Sequence, residues 1–266
     1  MSRALRNLYL ALVAAMMAMP LVVIAGVSVN EKKFLSFPPK GFSLKWFIEI
    51  FDDRAWFGAL QNSLLVAALS AALAVSIAIP IAYGLWRYRL AYLKALYGLG
   101  IMPFVLPPVI MALGFLIFFT TVGWHGQFIN VVIAHGLFLV ALPLITVSLG
   151  LGSIDMEMVE AGQTMGADGR TLFTTIILPI VQPYIISGFA FAFVLSLNEY
   201  IIAFMTVGFT VETLPIKIFN ALRYGYTPVM AAVAVLFVLV NVLVFGLIAR
   251  YGDLPRLLGA WTPEER

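Results

Sequence analysis

The hydrophobic positions of this chain fall into six long runs that are almost free of charged residues. Each run has about 20 residues or more, the length that an α-helix needs to cross the hydrocarbon core of a membrane. The runs are Leu8–Val29, Asn62–Trp86, Ala95–Val122, Phe128–Gly150, Ile180–Val207 and Val229–Ala249. The pattern predicts an all-α integral membrane protein with six transmembrane helices, in a single transmembrane domain over residues 1–266.

The polar segments between the runs predict the orientation. Arg87, Arg89 and Lys94 crowd one short loop, and Arg3 and Arg6 precede the first run. Short loops rich in Lys and Arg stay in the cytoplasm. The tail adds Arg250, Arg256 and Arg266 on the same side. We therefore expect both termini in the cytoplasm, an uncleaved first run, and an interfacial helix within Phe42–Phe51 of the first outside loop.

The amino-acid composition argues against a soluble protein, a nucleic-acid-binding protein and an enzyme. The chain is 62% hydrophobic and 11% charged, whereas soluble domains carry about twice that charge, so the protein belongs in a membrane. A net charge of +3, spread along the chain, gives no reason to expect a nucleic-acid partner. Cysteine is absent, and no HExxH motif, cluster of metal ligands or P-loop sequence occurs. We expect no enzyme activity, metal or cofactor in this chain; any ATP must be bound by another subunit.

A polar loop between the fourth and fifth runs, residues 156–179, carries a spaced motif. Its fixed positions are Glu160-Ala161-Gly162, then Gly166, Ile176 and Leu178-Pro179. Asp155 and Asp168 each stand where a side chain can cap a helix, and Gly166 lies between them where a helix can end and turn. The loop is predicted to form a helix, a sharp turn and a second helix.

One face of the first loop helix is predicted to be apolar. Met158, Ala161, Gly162 and Met165 are spaced i, i+3, i+4 and i+7, so they form a stripe. An exposed ridge of small residues and methionines suits a groove on a partner protein. The alternative is an amphipathic loop that only seals the membrane face.

This motif resembles the EAA loop in the membrane subunits of ABC importers, and it departs from that pattern only at Gly162, where a second Ala is usual. The resemblance implies a type I ABC importer (MetI-like) permease fold in a bacterial inner membrane. It also implies three kinds of partner: a second homologous permease subunit, a pair of ATPase subunits that bind ATP and Mg²⁺, and an extracytoplasmic solute-binding protein. Glu160, Ala161, Gly162, Gly166, Met158 and Met165 would then contact the ATPase.

Two further segments, GFSLKWF after the first run and LPIKIFNALRYGYTP after the fifth, resemble the spermidine/putrescine permease family, in its second-permease type. The resemblance implies transport of a small cation such as putrescine or spermidine. The alternatives are an importer of another small organic solute and an ATP-independent secondary transporter or channel.

Glu199 is the only acidic residue within the six runs. A carboxylate in a membrane is costly unless it is paired or hydrated, so we expect a cation contact on a transport path, with Asn198, Ser196 and Tyr200 beside it. On a continuous helix, Ser196, Ala192 and Gly188 would share its face and leave room for a passage. The alternative is a structural acid that bonds to a neighbouring helix. His135 is expected to be a satisfied packing residue.

Overall fold

The computed structural model describes residues 3–88, 90–225 and 227–251, and this part of the chain is almost entirely helical. It contains thirteen α-helices and one π-helical turn within the described ranges. The helices are α1 (Arg3–Ser28), α2 (Lys45–Asp52), α3 (Arg54–Tyr88), α4 (Ala91–Val105), α5 (Pro108–Val122), α6 (Phe128–Leu139), α7 (Ala141–Gly152), α8 (Met156–Thr164), α9 (Gly169–Leu172), α10 (Leu178–Asn198), α11 (Ile201–Val207), α12 (Leu214–Tyr224) and α13 (Val229–Tyr251), with the π turn at Phe173–Ile177.

Four stretches are long and apolar enough to cross a membrane unaided: α1, α3, α13 and the continuous helix Gly169–Asn198. Two more spans are helix pairs, α4 with α5 and α6 with α7, which bend by 110° and 43°. Each member of the first pair has 15 residues, about 22 Å of helix, which is short of the roughly 30 Å hydrocarbon core. Counted as one span each, the pairs bring the total to six, as the sequence predicted.

Prolines account for both bends. Leu106 and Pro107 are extended, because a proline disfavours helical backbone in the residue before it, and Pro108 then opens α5. Pro143 lies in the first turn of α7 and has no N–H for the helix that precedes it. The break in the third run is at Leu106–Pro107, whereas Pro103 lies inside α4.

The chain divides into two compact units. The first takes in residues up to Gln61 and Ile216–Val242. Asn30 organises the loop after α1 in this unit. Its side-chain amide donates to Phe34 O at 3.0 Å and to Ser36 Oγ at 2.8 Å. Its backbone carbonyl accepts from Trp46 Nε1 at 2.6 Å. The loop is thereby folded onto α2, which begins at Lys45 rather than at the predicted Phe42.

The second unit takes in Asn62–Pro215 and the described residues from Leu243 onward. In its core α3 presents a line of buried alanines, Ala71, Ala74, Ala78 and Ala82, which lets neighbouring helices approach closely. Helix α10 packs along α7, and α11 packs against α5 and α6. These contacts place the loop 156–179 and the end of α10 in the same unit.

Two expectations stay predictions: the single domain over 1–266 and the cytoplasmic position of both termini. Arg89, Arg256 and Arg266, which contributed to the predicted orientation, lie outside the described residues.

Candidate functional site

The loop 156–179 has the predicted helix–turn–helix form. Asp155 caps α8 by accepting from Glu157 N at 2.9 Å, and Asp168 caps α9 by accepting from Thr171 N at 2.8 Å. Between the two helices Gly166 has a φ of +86°, which L residues with a side chain rarely adopt. The two caps and the turn at Gly166 are confirmed.

The Asp168 cap favours the charged carboxylate. Hydrogen bonds from the side chain and the backbone N–H of Thr171 lower the pKa of Asp168 below its ordinary value. A lowered pKa in the folded protein means that the cap stabilises the loop at neutral pH. This stabilisation is lost as the pH falls through the folded pKa.

The apolar stripe on α8 is only partly as predicted. Met158 and Met165 are 49% and 83% exposed, and Ala161 is also exposed. Gly162 is buried, and a Cβ placed there would lie 2.7 Å from Leu172 Cδ2. The prediction that Gly162 shares the exposed ridge is wrong, because the second loop helix folds back over that side of α8. We call Met158, Ala161 and Met165 the exposed ridge.

Glu160 is exposed beside this ridge, and its backbone carbonyl accepts from Thr164 Oγ1 at 2.9 Å. The exposed ridge and Glu160 are thus available on the surface of this chain. Large exposed apolar side chains on a polar loop are typical of a protein contact.

The second loop helix continues into the fifth span through the π turn Phe173–Ile177. Pro179 lies just beyond it and cannot donate to the carbonyl four residues earlier. Thr175 Oγ1 donates to Thr171 O at 2.5 Å, so a hydroxyl supplies one of the local hydrogen bonds. On the inner side Leu172 and Ile177 are buried, and the ring of Phe173 meets Tyr83 edge to face at 5.2 Å.

Glu199 lies at a break in the fifth span. Helix α10 ends at Asn198, and Glu199 is extended, with φ −80° and ψ 124°. Its Oε1 accepts from Ile201 N at 2.9 Å, and its Oε2 accepts from Ile202 N at 2.9 Å and Ala203 N at 3.1 Å. Both carboxylate oxygens therefore cap α11, using backbone N–H groups that a helix start leaves without partners.

His135 is the second partner of this carboxylate. Its Nε2 lies 3.2 Å from Glu199 Oε2, and its Nδ1 lies 2.8 Å from Ser196 Oγ. The imidazole is 1% exposed. As expected, His135 packs between helices. Its pairing with Glu199 was not predicted, because nothing in the sequence places the fourth span beside the end of the fifth.

The predicted passage beside Glu199 is not present. Glu199 is off the helix, so Ser196, Ala192 and Gly188 do not share its face. Ala192 is 0% and Ser196 4% exposed. A Cβ on Gly188 would overlap Thr146 Oγ1 and come within 2.7 Å of Pro143 Cα. This face of α10 is a tight contact with α7, and the prediction of an open path along it is wrong.

Asn198 and Tyr200 flank the break. Asn198 is exposed, and its Nδ2 donates to Val194 O at 2.7 Å. Tyr200 is half-buried, and its ring stacks on Phe204 at 5.5 Å between centroids. Of the four predicted path residues, the structure brings Ser196 and Glu199 together through His135.

The family model described as "Binding-protein-dependent transport system inner membrane component" matches residues 74–253, which include both the loop and the break. The chain belongs to this family. It is a membrane-spanning permease subunit of an ABC importer, and a multi-pass inner-membrane protein. The family is a membrane component of transport systems and is not itself catalytic.

Among relatives, the permease is 29% identical over 238 residues to the spermidine/putrescine transport system permease protein PotC of Haemophilus influenzae, covering 89% of this chain and 92% of that one. It is 32% identical over 241 residues to the putrescine transport system permease protein PotI of Escherichia coli K12, covering 87% and 84%. Among solved structures, a bacterial ABC transporter involved in the import of the acidic polysaccharide alginate matches with a TM-score of 0.69 at 14% identity, over 94% of this chain and 98% of that one. This last likeness shows the fold.

Proposed function

We propose that this permease carries polyamines, with putrescine and spermidine as the first candidates. The observation that carries the proposal is its likeness, over most of its length, to two permeases named for these solutes. Both solutes are small organic cations. The alternative is another small organic solute.

The break between α10 and α11 is a candidate region for contacts with the solute. In transporters, interrupted helices often form binding sites where irregular backbone lines a cavity. The exposed amide of Asn198 and the ring of Tyr200 are the candidates at this break, since an aromatic face attracts an ammonium group. The Glu199 carboxylate is already engaged by three N–H groups and His135, which favours its structural role over direct contact.

We further propose that the exposed ridge and Glu160 dock a cytoplasmic ATPase subunit, one of a pair that binds ATP and Mg²⁺. A second homologous permease would complete the membrane part, and a solute-binding protein would deliver solute from outside. Capping at Asp155 and Asp168 supports this role, because a fixed loop can transmit a push from the ATPase. Both chain termini would lie on the ATPase side.

Uptake tests the solute. The complete complex is reconstituted in vesicles with its binding protein, and uptake of labelled putrescine is measured with competing spermidine, neutral sugars and amino acids. Saturable putrescine uptake that only polyamines suppress supports the proposal. Absence of putrescine uptake, or suppression of that uptake by a sugar or an amino acid as strongly as by spermidine, contradicts it.

A charge on the exposed ridge tests the docking. Met165→Glu places a carboxylate in a predicted apolar contact, whereas Gln163→Glu adds the same charge to an exposed position of α8 off the ridge. We expect Met165→Glu to lose co-purification of the ATPase and Gln163→Glu to keep it. Equal recovery of ATPase by both variants would show that the ridge is not the docking surface.

A further inference from the structure

His135 connects three helical segments through polar contacts in an apolar environment. It lies on α6, its Nδ1 meets Ser196 on α10, and its Nε2 faces Glu199 at the start of α11. All three residues belong to the second unit. The network is additional to the exposed ridge and to Asn198 and Tyr200.

The contact with Ser196 bears on which ring nitrogen of His135 carries the proton. If the Ser196 hydroxyl donates to Nδ1, the ring proton is on Nε2 and faces Glu199 Oε2 at 3.2 Å. Nε2 is buried and, within the described residues, makes no hydrogen bond of good angle. A buried polar group without a partner is costly. The electrostatic attraction between the ring and the carboxylate is the interaction that offsets the cost of burying Nε2.

The Glu199 carboxylate links His135 to the first turn of α11. It caps Ile201, Ile202 and Ala203, the first turn of α11, and α11 packs against α5 and α6. A shift of the carboxylate would leave these N–H groups without an acceptor. His135 thereby determines where α11 begins relative to α6.

We propose that His135 is a positioning residue for transport, which holds the Glu199 carboxylate and so fixes the break between α10 and α11 against α6. The role rests on the importer function of the permease and is independent of which solute is carried. His135 itself touches no solute in this scheme.

Nitrogen NMR tests the contact directly. This chain contributes only two histidines to the ¹⁵N-histidine-labelled complex, and the ring signals that disappear in His125→Gln and in His135→Gln assign them. Glu199→Gln and Ser196→Ala should each shift the His135 signals. The matched control is Ser70→Ala, which removes another buried hydroxyl that bonds to α6, at Val132 O, 3.1 Å away. The control should leave them in place.

ATP hydrolysis by the complete complex, stimulated by its binding protein, tests the role. His135→Leu should lower the maximal rate by roughly tenfold or more, because the mostly buried Glu199 carboxylate then loses its imidazole partner. The half-saturating concentration of binding protein should stay within about twofold, since a positioning residue does not alter that contact. His135→Gln, which has an acceptor and a donor, should recover most of the rate, and Ser196→Ala should cost less than His135→Leu.

Three results overturn the proposal. The first is an unchanged His135 spectrum in Glu199→Gln. The second is a wild-type maximal rate in His135→Leu or, if that variant does not assemble, in Ser196→Ala. The third is a raised half-saturating concentration with an unchanged maximal rate. None of these depends on polyamine uptake, so a failure of the proposed solute remains distinguishable.

Discussion

His135 Nε2 lies 3.2 Å from Glu199 Oε2, so the only acidic residue and the only histidine within the six predicted spans of this permease are paired with each other. The same carboxylate caps the first turn of α11. The sequence predicted that Glu199 contacts a transported cation, but in the structure its carboxylate is bonded to residues of its own chain. These contacts favour a structural role for Glu199.

Removal of this cap should destabilise the permease. Glu199→Ala leaves the N–H groups of Ile201, Ile202 and Ala203 without their acceptor, a loss of about 1–2 kcal/mol for a helix cap. We expect a lower apparent melting temperature of the purified complex. Asn198→Ala, whose amide bonds only to Val194 O of its own helix among the contacts described, is the control and should melt near the wild type. Equal melting of the two variants would argue against the cap.

Gly166 is the position in the loop 156–179 at which a side chain is least compatible with the backbone. Its φ of +86° makes Gly166→Val strained by about 1–2 kcal/mol, although no atom blocks the Cβ. We expect the variant to insert and assemble but to lose most ATPase stimulation by the binding protein. Gly169→Val also has open space but no positive φ, and it should keep stimulation. Normal stimulation in Gly166→Val would mean that the turn is not needed.

Gly188 permits the close contact between α10 and α7. Gly188→Ala would press on Thr146 and on the backbone of Pro143, an overpacking that costs typically about 1–3 kcal/mol. We expect a reduced yield of folded permease, measured by size-exclusion chromatography in detergent. Gly98→Ala on α4 adds the same methyl group where nothing lies within 4 Å, and its yield should be unchanged. A normal yield for both variants would show that α10 and α7 can accommodate a methyl group at position 188.

The orientation of the spans is open to a direct test. Reporter fusions after the last residue and within the loop of residues 30–61 should report opposite sides of the membrane, with the C-terminus in the cytoplasm, because Arg87 and Lys94 flank a short loop. Reporter activity on the same side for both fusions would contradict the orientation.

Local sequence signals predicted the helical elements and the helix–turn–helix form of the loop 156–179 well. Apolar length gave the spans, and Asp155, Gly166 and Asp168 gave the caps and the turn, because these features depend on neighbouring residues. The buried position of Gly162 was missed, since it depends on how the second loop helix folds back onto α8.

The region around Glu199 was less predictable, for a physical reason. The sequence treated residues 180–207 as one helix, and no proline or glycine marks the break at Glu199. The break is stabilised by contacts of Glu199 with backbone amides and with His135, a residue of another span. A pairing across 64 positions of the chain, 135 to 199, leaves no periodic signal in a single sequence.

The π turn at Phe173–Ile177 has a consequence for how this protein can change. An extra residue in a helical turn rotates everything beyond it by about 100°. The direction in which α8 points relative to the fifth span therefore depends on the number of residues in this turn more than on their identity. The exposed positions of the turn, Thr174 and Thr175, should accept many substitutions, whereas a single-residue deletion would re-aim the loop although every residue of the exposed ridge is still in the chain.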